Sequence, residues 1–297
     1  MLPLAAIVLL SGCSKSDEGG AGMQGDPVAI RLNSGIMEVA TKAAVDAGSS
    51  FTASVAGWET EGTVDYTTSE RRWYNTATIT ATTAVPGSAV TLNPARYYHA
   101  NDNIKTYMKG WYPAGEPTDG VVTFENTDGT VDPMITAAVS GSKTDAGSKN
   151  LVFNHPTTQI KFEVVAGTGL ASDTKVRSIS IHNAQLPTGF DLSDNSLSYA
   201  SAATLSVPHL SETAITATAT AVGAPVMIKP FAGRTMTLDV TTSHASFSNV
   251  TATIDEDTDF QPGKAYTITL TFSQKEIVLT ATVTAWDNTG SGSATIE

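Results

Sequence analysis

The sequence predicts an all-β protein, two β-sandwich domains in tandem behind an export signal and a flexible tether. Three observations carry that reading. The first is period-2 alternation, which puts successive side chains on opposite faces of a strand. Met236, Leu238 and Val240 alternate with Thr235, Thr237 and Asp239; Tyr266, Ile268, Leu270 and Phe272 alternate with Thr; Ile277, Leu279, Ala281, Val283 and Ala285 alternate with Val278, Thr280, Thr282 and Thr284. The second is the abundance of Thr, Val and Ile, whose branched Cβ suits a pleated surface. The third is the punctuation: Pro86-Gly87, Asp128-Gly129, Pro187-Thr188-Gly189, Asp194-Asn195 and Pro262-Gly263 read as turns between short strands. No long helical pattern competes, and Thr41 to Ala47 has room for only one or two helical turns.

Residues 1–12 open the chain with an apolar run, Leu2 to Leu10, followed by small residues, which reads as a signal peptide. The run is too short for a membrane-spanning helix, which needs ~20 apolar residues. No Lys or Arg precedes it, which predicts a basic stretch ahead of Met1. Leu10-Ser11-Gly12-Cys13 resembles the bacterial lipobox. That resemblance implies that Cys13 becomes an acylated N-terminus, anchored to a membrane without crossing it. Cys13 is the only cysteine, so no intramolecular disulfide can form.

Residues 13–27 are polar and Gly-rich and have too little apolar content to fold, so they read as a tether. The acidic pair Asp17-Glu18 resembles the surface-export signal of Bacteroidetes lipoproteins. Length then favours two domains over one. The polar segment Ser140 to Asn150 separates them, giving residues 28–145 and 146–297.

The net charge of -12 excludes nucleic acid as a partner, since that needs a clustered basic face. No nucleophile elbow, zinc-protease helix, phosphate loop or dinucleotide fingerprint occurs, so no catalytic residue, metal or cofactor is assigned. His99, His155, His182, His209 and His244 are dispersed and read as polar turn or strand residues. Asp255, Asp257 and Asp259 have the spacing that begins a calcium loop but lack its Gly and distal Glu, so they read as an acidic loop. Trp58, Trp73, Trp111 and Trp286 read as core packing ahead of a sugar-stacking platform. Arg71-Arg72 beside Trp73 reads as an exposed turn ahead of a contact patch.

Six blocks together resemble the Bacteroidetes fimbrillin family, the subunits of protease-assembled (type V) pili. They are the lipobox with its acidic tether; Pro27 to Leu32 followed by Thr41-Lys42-Ala43; Tyr107 to Pro113; Phe153 to Ile160; Gln261 to Tyr266; and Val283 to Trp286. The resemblance implies two transthyretin-like, Greek-key sandwiches. It implies a lipoprotein precursor at the outer membrane that becomes part of a cell-surface fimbrium. A trypsin-like protease would cut at Lys42-Ala43, removing a first strand at about Val28 to Val39. The best-known members present Arg before the cut, and this chain has Lys42, so the resemblance implies either a protease of broader specificity than an Arg-specific one or no cut at all. The C-terminal segment Ile277 to Glu297, with Ile277, Leu279, Ala281, Val283 and Ile296 as its apolar row, would be donated to the next subunit in a head-to-tail polymer. Partners implied are other pilus subunits, the outer membrane through the lipid, and host or bacterial surface ligands. A surface glycan-binding lipoprotein is the alternative, and a secreted hydrolase the third reading.

Overall fold

The computed structural model describes residues 26–37, 45, 48–84, 86–254, 259–274, 277–285 and 291–293, the last two stretches by their backbone. Among these residues there is no helix, and the chain is all-β.

An eight-stranded sheet is built from β1 (Leu32–Ile36), β2 (Ser50–Thr60), β3 (Arg71–Thr80), β4 (Ser88–Val90), β5 (Lys105–Tyr112), β7 (Met134–Thr136), β8 (Val139–Gly141) and β9 (Lys149–Asn154). Its order is β3-β2-β5-β7-β9-β1-β4, with β8 paired to β5. A small sheet covers one face: β6 (Val121–Thr123), β12 (Pro187–Asp191) and β13 (Leu197–Tyr199), with β12 in the middle. A second pair of sheets follows. One comprises β10 (Thr158–Ala166), β16 (Thr220–Ile228), β19 (Lys264–Phe272), β20 (Ile277–Ala285) and β21 (Ser291–Ser293), ordered β16-β10-β19-β20-β21. The other comprises β11 (Lys175–Ala184), β14 (Ala203–Ser206), β15 (Thr213–Ala214), β17 (Thr235–Thr242) and β18 (Ser246–Thr253), ordered β14-β11-β17-β18 with β15 on β11.

The alternating rows read from the sequence become the core of the second pair. Met236, Leu238 and Val240 from β17 meet Tyr266, Ile268, Leu270 and Phe272 from β19 in one buried cluster, which makes this pair a β-sandwich. The first sheet uses both faces. Met108 of β5 joins Ile30, Leu32, Ile36, Leu151 and Phe153 on one face. Trp111, three residues on, joins Trp58, Val122, Ile135 and Phe190 on the other, under the small sheet.

Two sequence expectations change here. Pro187-Thr188-Gly189 is not a turn but the start of β12. Gly189 faces the Val122 carbonyl so closely that an added Cβ would stand 2.5 Å from it, so its job is close strand approach. The segment Ser140 to Asn150 joins β8 to β9, and both belong to the first sheet. The chain first passes between the two groups of sheets at His155 to Thr157, so β9 lies on the first side although it follows the 145/146 division, and it returns to that side for β12 and β13.

The small sheet is held down by Lys109. This β5 lysine is 3% exposed, and its Nζ donates to the Leu192 carbonyl and to Asn195 Oδ1, at 2.6 Å for the latter. It lies 4.5 Å from the Tyr66 ring centroid. Burial lowers its pKa from 10.5 to about 8, against the opposing pull of Asp191 and Asp194. The folded state therefore binds fewer protons than the unfolded state between those two values, and stability rises with pH across that window. Relative to Lys109→Met, the wild type is expected to gain about 2 kcal/mol between pH 8 and about pH 9.5, read by urea unfolding. A constant difference between the two chains would refute the assignment.

Candidate functional site

The N-terminal strand is seated inside the first sheet, and its sequence explains why. Ile30, Leu32, Ser34 and Ile36 form one period-2 row, and all four are buried. The backbone is engaged on both sides. The Tyr98 N–H donates to the Val28 carbonyl at 3.0 Å, and the Ile30 N–H to the Arg96 carbonyl at 2.8 Å. Leu32 to Ser34 then pair antiparallel with Val90 to Ser88 of β4, while Leu32 to Ile36 pair parallel with Lys149 to Phe153 of β9. Burying Ile30, Leu32 and Ile36 contributes about 1.5–3 kcal/mol each.

The slot is tight. Gly35 and Gly87 let the segment from Thr82 to Ser88 close over the strand. A Cβ on Gly35 would lie 2.8 Å from the Thr82 carbonyl oxygen, and one on Gly87 would overlap the Ser34 carbonyl. The Ile36 N–H donates to that same Thr82 oxygen at 2.9 Å. One position is imperfect: the buried Ser34 Oγ has no hydrogen-bond partner, which costs about 1–3 kcal/mol. Lifting β1 out would leave a groove between β9 and β4 with unpaired backbone on both walls.

The segment expected as donor lies in its own sheet. β20 pairs antiparallel with β19 from Ile277↔Phe272 to Ala285↔Lys264, and among the described residues its outer side carries only the short β21. Ile277, Leu279, Ala281 and Val283 are thus on one strand next to the central β19. Cys13, Lys42, Ala43, Trp286 and Ile296 lie outside the described residues, as do Asp255 and Asp257.

Other sequence candidates fall into structural roles. Trp58, Trp73 and Trp111 are buried and offer no platform. Arg71 and Arg72 begin β3 and pair with Glu116 at 2.9 Å and Glu59 at 3.3 Å. His155 pairs with Asp132, His182 with Asp239 and His244 with Asp173. Among the described residues no group of three or more His, Cys, Asp or Glu is placed to hold a metal ion.

A fimbrillin-like family model matches residues 40–286. Comparison with curated protein sequences finds no match. Solved structures share the fold. A candidate cell adhesion protein of Bacteroides uniformis superposes with TM-score 0.60 at 18% identity, covering 87% of this chain and 98% of that one. A second, from Bacteroides ovatus, gives TM-score 0.57 at 16% identity, covering 89% and 100%.

Proposed function

The chain belongs to the fimbrillin-like family, and from that premise we propose that it is a structural or adhesive subunit of a cell-surface pilus assembled by strand exchange. Acylated Cys13 anchors the exported precursor in the outer membrane. Cleavage between Lys42 and Ala43 releases β1 and opens the groove between β9 and β4. The C-terminal strand of a second copy fills that groove by β-augmentation. Each copy offers one groove and one strand at different places, so the contact is head-to-tail and extends into a filament. The structures from Bacteroides uniformis and Bacteroides ovatus, which share the fold, carry cell-adhesion descriptions, and these agree with the reading.

One observation carries the proposal. The buried row of the seated strand reads Ile30, Leu32, Ser34, Ile36, and the C-terminal row reads Ile277, Leu279, Ala281, Val283. Both run large, large, small, large in the same chain direction. The donor row puts Ala281 where Ser34 buries an unpartnered hydroxyl, so exchange removes a defect at that position. β20 is suited to leave, because its departure spares the β16-β10-β19 ladder.

The register is testable. It puts Thr282 in the place of Gly35, which faces Val152 across the parallel pair, so the Thr82 carbonyl, 2.8 Å from a Cβ at that position, has to move aside as the donor enters. Trypsin-processed subunits carrying Val152→Cys and Thr282→Cys are expected to form a ladder of disulfide-linked oligomers that collapses on reduction. Monomers only, or an equally strong ladder from Val152→Cys with Thr280→Cys, would refute this register.

A further inference from the structure

On the surface of the first sheet lies a cleft of about 590 Å³, within the ~300–1,000 Å³ range of small-molecule sites. A smaller hollow of about 250 Å³ adjoins it, and the two share Arg72 and Tyr97. The walls come from segments far apart in the chain: Asp26 to Val28, the end of β2, the start of β3, the loop after β4 and the turn before β9.

Tyr97 is the informative residue. Its side chain is 48% exposed, one of the two large apolar side chains left open among the described residues, and it stands in a concave polar site. Beneath the adjoining hollow, Trp73 is fixed with the Arg96 guanidinium 5.8 Å from its ring centroid, and Arg96 itself is held by Asn75 and the Tyr74 carbonyl. Those contacts fix the floor of the hollow.

The charges select among ligands. The protein carries a net charge of -12, yet this cleft gathers Arg72 and Lys143. The Arg72 side chain is 67% exposed and uses its Nε toward Glu59, so its outer N–H fork faces solvent. Of the two carboxylates in the cleft, Glu59 is already matched by Arg72, and Asp26 stands on the N-terminal wall. His99 accepts the Asn101 N–H at Nδ1, which makes Nε2 the protonated nitrogen of the neutral ring and a further donor. An exposed aromatic ring beside a guanidinium fork and an imidazole donor suits a ligand with an apolar C–H face, hydroxyl groups and a carboxylate.

We propose that this cleft binds a carboxylated sugar residue of an acidic surface glycan, with Tyr97 stacking on the sugar ring and Arg72 holding the carboxylate. The site exists in the uncut chain and does not depend on strand exchange. A failed polymerisation would leave it standing, and a failed titration would leave the pilus reading standing.

The test is calorimetric titration of the intact chain with 3′-sialyllactose and trigalacturonate, with lactose as the neutral comparison. Both acidic probes are expected to bind with a Kd of about 1 mM or tighter, and lactose at least tenfold more weakly. Tyr97→Ala and Arg72→Gln should each weaken acidic-probe binding tenfold or more, with unchanged melting temperature certifying the fold. Absence of binding, equal binding of lactose, or variants with wild-type affinity would overturn the proposal. Displacement of the sugar by hexaglutamate at equal concentration would also overturn it, by showing a site for acidic peptide.

Discussion

A chain carrying Gly87→Val is expected to lose the protection of its N-terminal strand while its second sandwich stays folded. The Cβ at position 87 has nowhere to go. It would overlap the Ser34 carbonyl and lie 2.8 Å from the Gly35 nitrogen, and both are backbone atoms of a strand fixed on two sides. Overpacking that meets backbone costs about 3 kcal/mol or more, at the upper end of such substitutions. The amides of Asn33 to Ile36 should then exchange with solvent roughly 100-fold faster, since each 1.4 kcal/mol is a factor of ten. Amides of β17 and β18, which belong to the other core, should not change. Unaltered exchange in β1 would mean that the segment before β4 does not close over the strand. The same variant separates two accounts of assembly. A donor strand that occupies the place of β1 meets the same obstruction, so the Val152→Cys, Thr282→Cys ladder should vanish. A ladder of undiminished strength would mean that the donor binds elsewhere.

The rows of β17, β19 and the N-terminal strand were legible in the sequence because each has one face in a core and the other toward solvent or a polar layer, the condition that produces alternation. β12 was hidden by its own composition. A proline and a glycine normally announce a turn, yet Pro187 starts the strand and Gly189 serves its approach to Val122. The polar run from Ser140 to Asn150 looked like a division between domains because a loop within a sheet and a linker between domains share a composition; only the pairing of β8 with β5 and β9 with β1 tells them apart. The parallel seating of β1 beside β9 had no local signal, since register across more than a hundred residues is decided by the core and not by a turn. The cleft at Tyr97 was invisible for a related reason. Its residues arrive singly from separated segments, and neither Tyr97-Tyr98 nor Arg71-Arg72 signals a site when read alone.

Asp132→Ala is expected to lower stability by about 3 kcal/mol, one of the largest single losses available outside the core rows. Asp132 and His155 are both buried, and His155 Nδ1 donates to Asp132 Oδ1 at 2.9 Å. Removing one member of a buried hydrogen-bonded pair costs more than the bond contributes, because the remaining partner has lost its water as well. The position makes the loss consequential. His155 opens the passage from β9 to β10, and Asp132 ties it to the loop leading into β7. The other end of the passage is tied to the second group of sheets: the Gly263 N–H donates to the Thr157 carbonyl at 2.8 Å and Thr158 Oγ1 donates to the Gln261 carbonyl at 2.7 Å. In the proposed filament, with its acceptor groove in the first sheet and its donor strand leaving the second, this passage is the covalent step from β9 to β10 along which tension between neighbours would run. Asp132→Asn retains an acceptor oxygen for His155 and should cost less than half as much as Asp132→Ala. Chemical denaturation gives both values, and hydrogen exchange at Thr157 and Gly263 should quicken with the alanine. A loss below about 1 kcal/mol for Asp132→Ala would place the pair among ordinary exposed contacts and remove it from the load path.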